Sequence, residues 1–125
     1  MQSNILVAED DRNISNLIRE IVERKGDNAL LAKDGEEALQ IFGTLKVDLV
    51  ITDLKMPRLD GMTLISRIRE RDPDIPIIIV TGYGSEKNRE LARQYGISEI
   101  LSKPCSLMDI SRAIERNLPR NGGGE

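Results

Sequence analysis

The run Ile77-Ile78-Ile79-Val80, preceded by Ile75-Pro76 and followed by Thr81, decides the fold class. Consecutive β-branched residues with no polar alternation read as a strand covered on both faces, as in a parallel sheet flanked by helices. Ile5-Leu6-Val7-Ala8 has the same continuous character. Outward from these two, strands are expected over Asn4–Ala8, Ala29–Ala32, Asp48–Thr52, Ile75–Val80 and Ile97–Ser102.

The intervening stretches repeat with helical period. Ile14, Leu17, Ile18, Ile21 and Val22 make one apolar stripe, stopped by Gly26. A second helix carries Ala38, Leu39, Phe42 and Leu45, with Glu36 and Glu37 suited to its first turn. A third carries Met62, Ile65 and Ile68 and must end before Pro73. Ser85 is expected to cap a fourth that closes at Gly96. Ser106 is expected to cap a fifth with Leu107, Ile110, Ile114 and Leu118, ended by Pro119. Five βα units in sequence imply an α/β, doubly wound five-stranded parallel sheet with helices on both faces. No internal repeat beyond this alternation and no second domain is visible.

Composition narrows the chemistry. The chain has 125 residues, a single-domain length, and at 39% hydrophobic it can bury one core. No apolar run reaches the roughly 20 residues that a membrane helix needs, and the start Met1-Gln2-Ser3-Asn4-Ile5 does not read as a signal peptide. Cys105 is the one cysteine, which excludes an internal disulfide and suits a reducing cytoplasm. There is no histidine, so Ser-His-Asp and Cys-His catalysis, imidazole metal ligands and a phosphohistidine of its own are all excluded. A net charge of −3 and three aromatic residues argue against a nucleic-acid surface. What remains is chemistry by carboxylates, hydroxyls, lysine and a metal ion.

In open α/β sheets ligands bind beyond the carboxyl ends of the strands. Glu9-Asp10-Asp11 follows the first strand, Asp53 the third, Thr81 the fourth and Lys103-Pro104 the fifth. Only the second strand, followed by Lys33-Asp34-Gly35, reads as an ordinary turn into a helix. With strand order 2-1-3-4-5, Glu9, Asp10, Asp53, Thr81 and Lys103 converge. Two unit charges about 4 Å apart repel by about 4 kcal/mol at an effective dielectric of about 20. A hard dication such as Mg²⁺ relieves that repulsion, and lysine and threonine complete a phosphoryl cradle. Taken singly, each of these residues is as readily a cap, turn former or surface charge. Asp11 reads as the cap of the first helix.

These residues resemble the receiver domain of two-component response regulators from Asn4 to Leu118. The resemblance is carried by Ile5–Ile14 with its Glu9-Asp10-Asp11, by Asp53-Leu54-Lys55-Met56-Pro57-Arg58-Leu59-Asp60-Gly61, by Val80-Thr81 and by Lys103-Pro104. It implies a flavodoxin-like (CheY-like) (βα)5 fold in order 2-1-3-4-5. It also implies a bacterial-type signalling protein of the cytoplasm. Asp53 would accept a phosphoryl group from a sensor histidine kinase or a His-containing phosphotransfer protein. Mg²⁺, with Mn²⁺ as a substitute, would be held by Asp10 and Asp53 directly, by the Lys55 backbone carbonyl, and by Glu9 through water. Lys103 would pair first with the acceptor and then with the phosphate, and Thr81 would turn inward to bond it. Pro104 would follow a cis peptide. Pro57 and Gly61 would steer the loop, with Asp60 capping the third helix. The output would be a change in the surface of the fourth helix, fifth strand and fifth helix, controlling a downstream protein or domain. A phosphorylation-dependent dimer is a further implied outcome, with no direct nucleic-acid or membrane contact.

Some positions depart from the family pattern. Ile100 stands where a switch aromatic is usual, and Cys105 where Phe is common; Cys105 reads as a packing residue. Lys55 and Tyr83 flank the site and suggest slow self-hydrolysis by obstructing water. Gly82-Tyr83-Gly84 is read as a loop rather than half of a dinucleotide fingerprint. The chain is not expected to be an enzyme beyond its own phosphorylation and slow dephosphorylation. A Mg²⁺-dependent phosphohydrolase would want a carboxylate where Lys55 stands. The alternative function is a phosphorylation-independent adaptor of the same fold. Residues 1–118 are expected to form the receiver domain, and 119–125 a flexible tail.

Overall fold

The computed structural model describes residues 2–82 and 86–118. The expected features at Tyr83, Ser85, Pro119 and 121–125 lie outside them. The elements run β1 (Asn4–Ala8), α1 (Arg12–Arg24), β2 (Asn28–Ala32), α2 (Gly35–Thr44), β3 (Leu49–Thr52), α3 (Gly61–Arg71), β4 (Ile77–Thr81), α4 (Glu86–Gln94), β5 (Glu99–Ser102) and α5 (Leu107–Asn117). The five strands form one parallel sheet in order β2-β1-β3-β4-β5. Its register sets Ile5 beside Leu49, Val50 beside Ile77, and Thr81 beside Ser102.

Alternation along the strands sorts the core into two layers. Leu6, Val50, Ile77 and Ile79 pack with Ala38, Leu64, Ile65, Ile68 and Ala92, from α2, α3 and α4. Ile5, Val7, Leu49, Ile51, Ile78 and Val80 pack with Ile18, Ile21, Val22, Ile110 and Ile114, from α1 and α5. Both strand faces are therefore dry, which is why the strand sequences show no polar alternation.

Local chemistry sets the helix ends. Asp11, Asp60 and Ser106 cap α1, α3 and α5 as expected, and Asp34 caps α2. Ser106 and Asp109 form a reciprocal capping box. Gly26 and Gly96 take positive φ, and the bonds Asp27 N to Val22 O and Ile97 N to Ala92 O close α1 and α4.

Some expectations need correction. Leu17 (43% exposed), Leu45 (48%) and Leu107 (47%) lie at the solvent edges of their stripes rather than in the core. Ser15 of α1 and Leu64 of α3, which the expected stripes left out, are buried. β3 starts one residue later than the pattern suggests, and β4 and β5 start two later. Pro76 has no N–H to give the ladder, and Ile97 belongs to the turn that closes α4.

Candidate functional site

The backbone brings the strand-end residues together. The Glu9 amide donates to the Ala32 carbonyl, and the Asp53 amide donates to the Ala8 carbonyl, extending the ladders one residue past β1 and β3. The Lys103 amide donates to the Thr81 carbonyl at 2.9 Å, which seats Lys103 at the end of β5. The Lys103–Pro104 peptide is cis, as the sequence resemblance implies. Glu9, Asp10, Asp53, Lys55 and Lys103 line an open cleft of about 670 Å³.

Carboxylate oxygens of Glu9, Asp10 and Asp53 lie within 4.8 Å of one another. Lys103 Nζ donates to Asp53 Oδ2 at 2.7 Å and to Glu9 Oε1 at 3.0 Å. Asp53 Oδ1 accepts from the amides of Leu54, at 2.6 Å, and Lys55, at 3.3 Å. Glu9 Oε2 accepts from the Asp11 amide. Both Glu9 oxygens are thus engaged, whereas Asp10 is exposed at the cleft. Thr81 is wholly buried at the end of β4.

Burial raises the Glu9 pKa, and the bonds from Lys103 and the Asp11 amide only partly offset it. Burial by itself would lower the Lys103 pKa, but hydrogen bonds to Asp53 and Glu9 outweigh it and hold the ammonium above the ordinary lysine value. Three carboxylates converging in one cleft form an all-oxygen donor set, which fits a hard divalent cation.

The other expectations can be placed. Asp60 Oδ1 accepts from the Thr63 amide and serves as a cap, apart from the carboxylate cluster. Cys105 is half-buried against the α1/α5 layer; burial and then Asp109 raise its thiol pKa, so it packs as a neutral side chain. Ile100 lines a second cleft, with Arg89, Ala92, Arg93 and Glu99. No helix among the described residues is long and apolar enough to cross a membrane.

Sequence reasoning missed two features. Lys33-Asp34-Gly35 is more than an ordinary turn: Asp34 is buried and pairs with Arg58 from the loop after Asp53. Arg69 donates to the carbonyls of Asp72, Ile75, Tyr95 and Gly96, joining α3 to the end of α4. The first had a readable signal in an Asp-Gly pair opening a helix; the second had none.

The profile of the response regulator receiver domain matches residues 5–115. The chain belongs to the response regulator receiver domain family. Receiver domains of response regulators serve two-component signalling. Among curated relatives, response regulator MprA of Mycolicibacterium vanbaalenii is 34% identical over all of this chain and 56% of its own length. The alkaline phosphatase synthesis transcriptional regulatory protein PhoP of Bacillus subtilis is 31% identical over 97% of this chain and 50% of its own length. The chain spans about half the length of these two relatives. Among solved structures, the non-phosphorylated HemR receiver domain of Leptospira biflexa superposes with a TM-score of 0.89 at 27% identity, covering 96% of this receiver and 98% of that chain. A receiver domain protein from Clostridium thermocellum gives 0.83 at 38% identity, covering 92% and 93%.

Proposed function

We propose that this receiver takes a phosphoryl group onto Asp53 from the phosphohistidine of a sensor histidine kinase or a His-containing phosphotransfer protein. The observation that carries the reading is the Lys103 ammonium bridging Asp53 and Glu9 inside a three-carboxylate cluster. An Asp53 oxygen attacks phosphorus, the phosphorus–nitrogen bond breaks, and the imidazole leaves with its electron pair and takes up a proton. The product is an acyl phosphate. Lys103 holds the carboxylate before transfer and pairs with a phosphoryl oxygen afterwards, and Thr81 donates its hydroxyl to another.

Asp10, Asp53 and the Lys55 carbonyl would hold Mg²⁺ or Mn²⁺. Glu9, with both oxygens already bonded, would act through water. Such an ion, when bound, would neutralise charge on the phosphoryl oxygens. Rearrangement around Thr81 would alter the face of α4, β5 and α5 and so control an output partner or domain, directly or through a dimer. MprA and PhoP, named as regulators and about twice as long, support an output of that kind. The chain would work in the cytoplasm. Lys55, exposed at the rim of the cleft, would slow hydrolysis of the phosphate by hindering water.

Intact-protein mass after incubation with acetyl phosphate and Mg²⁺ tests this. One phosphoryl adduct is expected, lost without metal and lost in Asp53→Ala. An adduct that survives in Asp53→Ala contradicts the assignment, and no adduct with no metal binding points to a phosphorylation-independent adaptor.

A further inference from the structure

The loop between Asp53 and α3 passes Lys55 and Met56 along the wall of the acidic cleft. It is held at both ends of that passage, and at the near end Asp53 Oδ1 accepts from the Leu54 and Lys55 amides. At the far end, the Gly61 amide donates to the Leu54 carbonyl at 2.8 Å, and a Cβ on Gly61 would overlap the Asp53 carbonyl. Between these ends Arg58 has φ +70, and the Leu59 amide donates to the Pro57 carbonyl, a three-residue turn of strained hand. A non-glycine residue stays in that conformation only when its surroundings impose it.

The surroundings come from the corner between β2 and α2. Arg58 Nε lies 3.4 Å from Asp34 Oδ2, and its Nη1 lies 3.8 Å from Glu36 Oε1. Asp34 is buried and fixed, because its other oxygen caps α2 by accepting from the Glu37 amide at 2.8 Å. Gly35 abuts Leu59 so closely that a Cβ would overlap the Leu59 carbonyl. Arg58 and Leu59 of this loop are therefore seated on Asp34, Gly35 and Glu36 of the β2–α2 corner.

We infer that Arg58, tied to Asp34 across the two loops, is a positioning residue that holds the Lys55 segment against the acidic cluster and so sets the affinity for the divalent cation. The inference rests on the metal reading above. The Arg58 side chain is 64% exposed, so the pair adds little to global stability. Its effect is to select one loop conformation out of several, and metal affinity follows because only that one presents the Lys55 carbonyl.

Calorimetric Mg²⁺ titration of the folded chain, for wild type, Arg58→Ala, Asp34→Asn and the double variant, tests it. Asn caps a helix as well as Asp does, so Asp34→Asn removes the charge and keeps α2 intact. Each single variant is expected to bind Mg²⁺ about three- to ten-fold more weakly, and the double no more weakly than the weaker single. Arg58→Lys is expected to recover part of the loss. Amide exchange over residues 55–59 of the metal-free chain is expected to quicken in Arg58→Ala. If wild type binds Mg²⁺ and both single variants stay within about two-fold of it, the tether is overturned while the metal reading stands. If wild type binds no Mg²⁺, both fall.

Discussion

Helices α3 and α4 cover the same face of the sheet, yet they are attached to it in different ways. α3 buries Leu64, Ile65 and Ile68 completely, is capped by Asp60, and begins at a glycine packed on the Asp53 carbonyl. Among the described residues of α4, Ala92 is buried while Arg89, Glu90, Arg93 and Gln94 are exposed. Its attachment, among the described residues, lies at the C-terminal end. There Ile97 packs beneath the closing turn, and the Arg69 guanidinium of α3 binds the Tyr95 and Gly96 carbonyls at 2.6 and 3.2 Å. A cation at that end also matches the helix dipole. The contrast is between a helix packed by three fully buried side chains next to the acceptor and one whose described contacts gather at its C-terminal end.

The largest expected effect is in α3. Leu64→Ala should lower unfolding free energy by about 2–5 kcal/mol in urea titration, because a fully buried side chain leaves a cavity in the layer shared with Ile65 and Ile77. A loss below about 1 kcal/mol would mean that the α3 layer collapses easily, and the contrast with α4 would weaken.

Arg69→Ala should cost about 2 kcal/mol, by withdrawing one charged donor group from carbonyls in three segments. Amide exchange at the C-terminal turn of α4 should rise more than in α3. Lysine at this position should recover little, since a single ammonium cannot span the same set of acceptors.

Glu99 gives a smaller, pH-dependent effect. Bidentate bonding from Arg116, assisted by Asn117, lowers its pKa against the opposing effect of burial. A carboxylate whose pKa is lower folded than unfolded adds stability above its ordinary value of 4.5, and that stability is lost as pH falls through the folded value. Arg116→Ala should therefore flatten the loss of stability on acidification below pH 4.5 and leave neutral-pH metal binding unchanged. The smallest effect belongs to the exposed side of α4. Arg89→Ala should change stability by less than about 0.5 kcal/mol, and a larger loss would show that α4 is held along its length.

Much of this contrast could be read in the sequence. The uninterrupted Ile77–Val80 run gave a strand dry on both faces, and Glu9, Asp53, Thr81 and Lys103 stood out because each follows an apolar run. Asp11, Asp60 and Ser106 were legible as caps because capping depends on neighbours within three residues. Leu17, Leu45 and Leu107 were not placed correctly, since periodicity locates an apolar stripe but not the part of it that meets the sheet. Ile75 looks like strand because it is buried, yet its carbonyl accepts from Arg69 in the turn before β4. Arg58 with Asp34, and Arg69 with the end of α4, join separate segments through long side chains; the Asp34-Gly35 pair marks a helix cap, but no local pattern marks either arginine as its partner.

The most direct test of the central claim is amide hydrogen exchange across α3 and α4, with Mg²⁺ alone and after acetyl phosphate is added, beside Asp53→Ala. Once the adduct forms, protection should change in α4 and along β5 while α3 keeps its protection, and Asp53→Ala should show neither change. Equal changes in α3 and α4, or no change in α4 with the adduct confirmed by mass, would contradict the account.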